Sequence, residues 1–148
     1  MSNPDHPEPS DPDHPEPRRL DQWQLAIRVV AMPADTNAYG DIFGGWIMSQ
    51  ADVAGSTIAI EAAQGRVATV AVKEFRFITP CLVGDLAELH ARMIGLGNTS
   101  ITVEVDIWAQ GEPDPKSRRR VAHAIFIYVA VDAHGRPRPI PRPNYFPA

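Results

Sequence analysis

The chain has 148 residues, with 14 Lys and Arg against 18 Asp and Glu, one cysteine and 15 prolines. That length points to one domain, a lone Cys81 excludes an intrachain disulfide framework and fits a reducing compartment, and a net charge of −4 argues against a nucleic-acid binder with its basic face. No apolar run reaches the roughly 18–20 residues of a membrane span and no basic-then-apolar leader opens the sequence, so a soluble cytoplasmic protein without a membrane partner is expected.

Residues 1–19 stand apart from the rest. The hexapeptide Pro-Asp-His-Pro-Glu-Pro occurs at 4–9 and again at 12–17. A stretch with almost no apolar side chains cannot offset its ordering entropy, so a disordered or polyproline tail is expected over 1–19, ahead of a single domain over 20–148. His6 and His14 read either as part of a solvated spacer or as a weak metal site. The tail carries five acids and two arginines, which leaves residues 20–148 with a net charge of only −1.

Alternation of apolar and polar residues then predicts a first strand at Leu25, Ile27 and Val29, set against Gln24, Ala26 and Arg28. Residues 45–63 break that rhythm. Their apolar side chains, from Trp46 and Ile47 to Ala62 and Ala63, spread around the whole helical circumference, which predicts a long helix buried on all sides. Four more strands follow, at 67–77, 86–94, 101–107 and 121–131, with turn residues between them at 95–98 and 111–115. The order β-α-β-β-β-β is that of an α+β protein in which a five-stranded antiparallel sheet curls around one long central helix.

Within that helix Asp52 is the sole ionisable residue between Gly45 and Ile60. A carboxylate among apolar neighbours must be paired, protonated or turned toward a cleft, and catalytic carboxylates occupy such positions. Just ahead, Asp41-Ile42-Phe43-Gly44-Gly45 places two glycines at the start of the helix, where backbone amides lack acceptors. Such donors can hold a developing oxyanion, although a tight turn would also use the glycines. Gly44 and Asp52 are about 12 Å apart along one helix, too far to act on one carbonyl. Two antiparallel copies resolve this, with Asp52 of one subunit facing Gly44 or Gly45 of the other, so a homodimer with two composite sites is expected. Ser56, one turn beyond Asp52, either orients the carboxylate or bonds back to its own helix. Cys81 with His90 or His123 forms no recognisable nucleophile pair, and His123, in phase with Val121, Ile125 and Ile127, reads as a core or interface histidine.

The run from Pro33 to Asp52, Pro-Ala-Asp-Thr-Asn-Ala-Tyr-Gly-Asp-Ile-Phe-Gly-Gly-Trp-Ile-Met-Ser-Gln-Ala-Asp, closely resembles the signature of the YciA-type acyl-CoA thioesterases of the hotdog fold. Gly65-Arg66-Val67, Phe77-Ile78-Thr79-Pro80 with Gly84-Asp85, and Tyr128 to Asp132 extend the likeness over about residues 24–142. Tyr39 stands where the family has a small or polar residue. The resemblance implies hydrolysis of acyl-CoA to a carboxylic acid and free CoA, with Asp52 as the catalytic carboxylate and Asp41 and Asn37 as secondary candidates, for which helix capping or turn formation is the alternative role. It also implies hotdog dimers that assemble as trimers of dimers, a homohexamer. No metal and no cofactor is expected, coenzyme A entering only as part of substrate and product. A thioester needs mainly a base or nucleophile and an oxyanion hole, so Asp52 is assigned to activate water or to attack directly through a mixed anhydride, with the amides of Gly44 and Gly45 holding the oxyanion. The CoA phosphates call for cations or free amides. The candidates are Arg118, Arg119 and Arg120 before the fifth strand and Gly97, Thr99 and Ser100 in the preceding hairpin turn, with Arg138 and Arg142 as further cations. Two other readings compete, a hotdog 3-hydroxyacyl dehydratase and a non-catalytic acyl-CoA-binding module. The absence of histidine between residues 15 and 89 disfavours the first, and the acidic tail cannot serve as the DNA-binding segment a sensor would need.

Overall fold

The computed structural model describes residues 18–142 together with Asp13. The expectations for the rest of the 1–19 tail, His6 and His14 included, lie outside the described residues. Strand β1 (Gln24–Val30) is followed by a one-turn helix at Pro33–Asp35, the long helix α1 (Gly44–Ala63), and strands β2 (Val67–Phe77), β3 (Leu86–Leu96), β4 (Ser100–Gln110) and β5 (Arg119–Ala130). The strands form one antiparallel sheet in the order β1-β3-β4-β5-β2, and α1 lies across its inner face. The α+β architecture, with a five-stranded antiparallel sheet against one long helix, is the one the alternation predicts; the resemblance implied its hotdog form. Among the described residues, no helix is long and apolar enough to cross a membrane.

The pleat decides which side chains meet the helix. Ala87, Leu89, Ala91 and Met93 of β3 and Ile101, Val103, Val105 and Ile107 of β4 are buried on the inner face, together with Phe126 and Tyr128 of β5. Ala51, Ala54, Gly55, Ala59 and Ala62 keep the contacting side of α1 small, which lets the helix axis sit close to the sheet. The helix ends at Gln64 in the left-handed region, and the amide of Gly65 closes onto the carbonyl of Ile60, an ending that satisfies a terminal acceptor. Arg138 adds a side-chain bond to the carbonyl of Ala63 at 2.9 Å.

Three expectations change. The helix is buried on one side only: Val53 is 54% and Ile60 46% exposed, on a stripe with Gly45, Ser49 and Thr57 that the sheet does not cover. Apolar residues all round a helix report that both sides want cover, not that a single chain provides it. In β1, a bulge between Leu25 and Ile27 shifts the register and turns Leu25 outward to half exposure while Ile27 and Val29 pack inward, as an extra residue in one strand does. His123 is not in the core. It is half-buried on the outer face of the sheet, 3.4 Å from Glu104 and 3.9 Å from Glu74, in a row of charges that includes the pairs Arg92–Glu104 and Arg120–Asp106.

Candidate active site

The chain between the one-turn helix and α1 is fixed by Asn37. Its Oδ1 accepts from the amides of Tyr39 (2.9 Å) and Asp41 (3.1 Å), and its own amide donates to the carbonyl of Asp41 at 2.7 Å. Gly40 takes a positive φ of 86° to complete the turn, a conformation costly for a side chain. The bonding to its own loop is the turn-forming role open to Asn37 from sequence. The side chain also lines a cleft of about 300 Å3 with Asp41, Gly44, Ile47, Phe77 and Cys81.

Helix α1 opens at the mouth of that cleft. Its N-cap is Phe43, whose side chain supplies no capping bond. Among the described residues the amides of Gly44 and Gly45 meet no acceptor, the first helical bonds being those of Trp46 and Ile47 to the carbonyl of Phe43. A Cβ on Gly44 would stand 3.2 Å from the Phe77 ring, whereas one on Gly45 would meet nothing within 4 Å. The two donors therefore sit bare at the positive end of a helix.

Asp52 lies two turns along, partly exposed beside the open stripe of the helix. Its Oδ1 accepts from Thr69 Oγ1 at 2.8 Å and from the Tyr128 hydroxyl at 3.2 Å, and the same hydroxyl donates to the Asp52 carbonyl at 2.8 Å. No cation pairs with it among the described residues, and Oδ2 receives no donor. A carboxylate held on one oxygen and bare on the other is arranged to accept a proton or to attack. Ser56 bonds back to the carbonyl of Val53 at 2.6 Å and so belongs to its own helix.

Sequence reasoning missed Thr69 and Tyr128. Thr69 was visible as a lone hydroxyl in the apolar run Val67 to Val72. Tyr128 was visible as a phenol inside an apolar strand, where its hydroxyl must find a partner. Neither pattern names Asp52, which is 17 and 76 residues away.

The arginine candidates separate. Arg119 and Arg120 are the first residues of β5 rather than part of the preceding turn. Arg119 pairs with the buried Asp85 and also donates to the carbonyl of Pro80, and Arg120 pairs with Asp106. Arg118 stacks over the Trp108 ring at 4.6 Å. The Gly97–Ser100 turn lies at the opposite end of β4, roughly 30 Å away at strand rise, so one protomer does not bring these two groups together. In that turn the amide of Gly97 bonds the carbonyl of Ser100, and the carbonyl of Thr99 accepts from Ala130. Arg138 is bonded to the carbonyls of Val131 and Ala63, and Arg142 reaches the carbonyl of Gly97.

Cys81 borders the cleft but is buried, and burial, followed by the charge of Asp85, pushes its thiol up to about 11. At pH 8 only about one molecule in a thousand carries the thiolate. A chromogenic disulfide reagent is expected to leave Cys81 untouched in the native protein and to titrate one thiol after denaturation. Fast reaction in the native state would contradict this burial. Among the described residues no three His, Cys, Asp or Glu side chains are grouped to hold a metal ion.

The sequence profile of the thioesterase superfamily matches residues 39–116, a span that contains the two bare amides, Asp52 and Thr69. The chain belongs to the thioesterase superfamily. Among relatives of this thioesterase, the acyl-CoA thioester hydrolase YciA of Salmonella typhimurium is 49% identical over 89 residues, 60% of this chain and 67% of the relative. A hexameric thioesterase from Yersinia pestis superposes with a TM-score of 0.75 at 48% identity, covering 81% of this chain and 97% of that one. A hexameric broad specificity acyl-coenzyme A thioesterase superposes at 0.78 with 46% identity, covering 83% and 90%.

Proposed function

We propose that this thioesterase hydrolyses acyl-CoA to a carboxylic acid and free CoA, at sites shared between two copies of the chain. The observation that carries the reading is the state of Asp52: among the described residues, a carboxylate without a cation, fixed through one oxygen and bare at the other, beside an uncovered helix face. Oδ2 takes a proton from water as its oxygen attacks the thioester carbonyl, or attacks that carbonyl itself to give a mixed anhydride that water then opens. The amides of Gly44 and Gly45 hold the oxygen that becomes negative, with Asp41 and Asn37 lining the cleft beside it. The C–S bond breaks, the sulfur leaves as the CoA thiolate, and it takes up a proton in solution.

The strand register supports the shared site. Thr69, which touches Asp52, and Phe77, which touches Gly44, lie toward opposite ends of β2. β2 is an edge strand with Val70 56% and Val72 43% exposed. Two β2 strands paired antiparallel about their midpoint, near Val72 and Lys73, set the Thr69 end of one beside the Phe77 end of its twofold mate. Asp52 then meets the amides of Gly44 and Gly45 across the axis, and the partner helix covers Val53 and Ile60. The same axis joins the Gly97–Ser100 end of one copy with the Arg118–Arg120 end of the other, where CoA phosphates would find Arg118 and turn amides. In keeping with the hexameric relatives, three such dimers make the proposed homohexamer.

Thiol release from acyl-CoAs of graded chain length tests the activity. Tight acyl-CoA binding with no thiol released from any member would give the binding-module reading instead. The assembly has its own test. Lysines at both Val70 and Val72 would be buried in the paired edge, and charged side chains block edge pairing. The double variant is expected to elute as a folded monomer on size-exclusion chromatography with under about one percent of the wild-type rate, since general-base help worth about 10²-fold or more needs the partner. A monomer with full activity would refute the shared site.

A further inference from the structure

We propose that Tyr128 is a positioning residue that aims Asp52 from inside the core, and that the absence of a side chain at Gly55 is what admits it. The inference rests on Asp52 being the reacting carboxylate, as proposed above.

Tyr128 is fully buried on β5, and its ring stacks against Phe126. Its hydroxyl crosses to the helix and lies where a side chain would begin: a Cβ on Gly55 would stand 2.4 Å from the phenol oxygen and 3.2 Å from the carbon that bears it. No other residue type fits at position 55 while that hydroxyl stays in place. Gly55 has ordinary helical geometry, so nothing in its backbone calls for glycine. The requirement comes from Tyr128 alone.

Burying the phenol needs one hydrogen-bond partner, and the Asp52 carbonyl at 2.8 Å already supplies it. The second contact, to Oδ1 at 3.2 Å, is therefore not demanded by burial. The single phenol proton is shared between the carbonyl and Oδ1 in a three-centre bond, and with Thr69 it holds Oδ1 from two different strands, β5 and β2. Contacts from two strands on one oxygen restrain the rotation of the carboxylate and direct Oδ2 outward. Thr69 stands on the open edge strand, whereas Tyr128 is anchored in the rigid interior, so Tyr128 sets the reference position. Burial, reinforced by the Asp52 charge, raises its pKa well above that of an ordinary phenol, so the hydroxyl stays a donor wherever the fold survives.

Two variants and their combination test this. Tyr128→Phe removes one oxygen and no packing volume. It is expected to lower kcat about tenfold to a hundredfold, the scale of a small misplacement of a reacting group, with KM changed less than about twofold. Gly55→Ala forces the hydroxyl away and should lose both kcat and thermal stability. Combining it with Tyr128→Phe removes the 2.4 Å conflict, so stability should return toward wild type while kcat stays low. A wild-type kcat in Tyr128→Phe, a KM that moves as far as kcat, or recovery of kcat in the double variant would overturn the proposal. An activity-independent readout separates it from the hydrolase reading. In protein with isotope-labelled tyrosine, the slowly exchanging hydroxyl proton of Tyr128 should shift in Asp52→Asn. An unchanged resonance refutes the contact even in an active enzyme, and a shifted one in a protein inert toward every acyl-CoA leaves the contact standing while the hydrolase reading falls.

Discussion

Asp52→Asn should lower kcat for thioester hydrolysis by about 10³-fold, the scale expected for losing a general base, while thermal stability stays near wild type. The amide oxygen of asparagine can still accept from Thr69 and Tyr128, so the packing around position 52 is retained and only the basic, nucleophilic oxygen is lost. Activity within tenfold of wild type would remove Asp52 from the reaction. The same variant tests the sharing of the site. Gly44→Val crowds Phe77 and the proposed oxyanion donors, because even a Cβ there meets the ring at 3.2 Å. When Asp52→Asn and Gly44→Val chains are unfolded and refolded together, random pairing in a twofold dimer leaves about a quarter of the sites with both groups intact. Each heterodimer then has one site carrying both lesions and one carrying neither. Mixtures no more active than their parents would place Asp52 and Gly44 of one chain in the same site.

The largest effect on stability is expected from Arg119→Met. Asp85 is 4% exposed; its carboxylate accepts from the amide of Leu82 at 2.8 Å and pairs with Arg119. Removing the guanidinium leaves a buried carboxylate without its cation, which costs about 3 kcal/mol at the lower end of the range for broken buried pairs. Arg119 also ties the carbonyl of Pro80 at 3.1 Å, so the segment beside the cleft loosens as well. Urea unfolding should show a lower midpoint with an unchanged slope. Adding Asp85→Asn should restore part of the loss, because the stranded charge is gone. If Arg119→Met unfolds like wild type, the pair carries no structural weight and Arg119 returns to the candidates for phosphate binding.

Legibility in the sequence followed the range of the interactions. Period-two alternation located all five strands, and the switch to an apolar run at 45–63 located α1, because both patterns are set by neighbours within a few residues. The isolation of Asp52 and the bareness of Gly44 and Gly45 were legible for the same reason: helix pitch and helix ends are local geometry. The bulge at Leu25, by contrast, depends on the pairing of β1 with β3. Arg119 and Arg120 read as a free basic run until the sheet brought Asp85 and Asp106 against them from 34 and 14 residues away.

By itself, then, the sequence determined that one carboxylate and two unprotected amides would lie on a single helix about 12 Å apart, and that an antiparallel sheet would pack against that helix. Only the tertiary structure decided which side of the helix stays open, which strands form the sheet edges, and which hydroxyls hold Asp52. Those outcomes turn on contacts between segments far apart in the chain. A side chain's identity states that it needs a partner, but only the packed fold selects which one comes within reach.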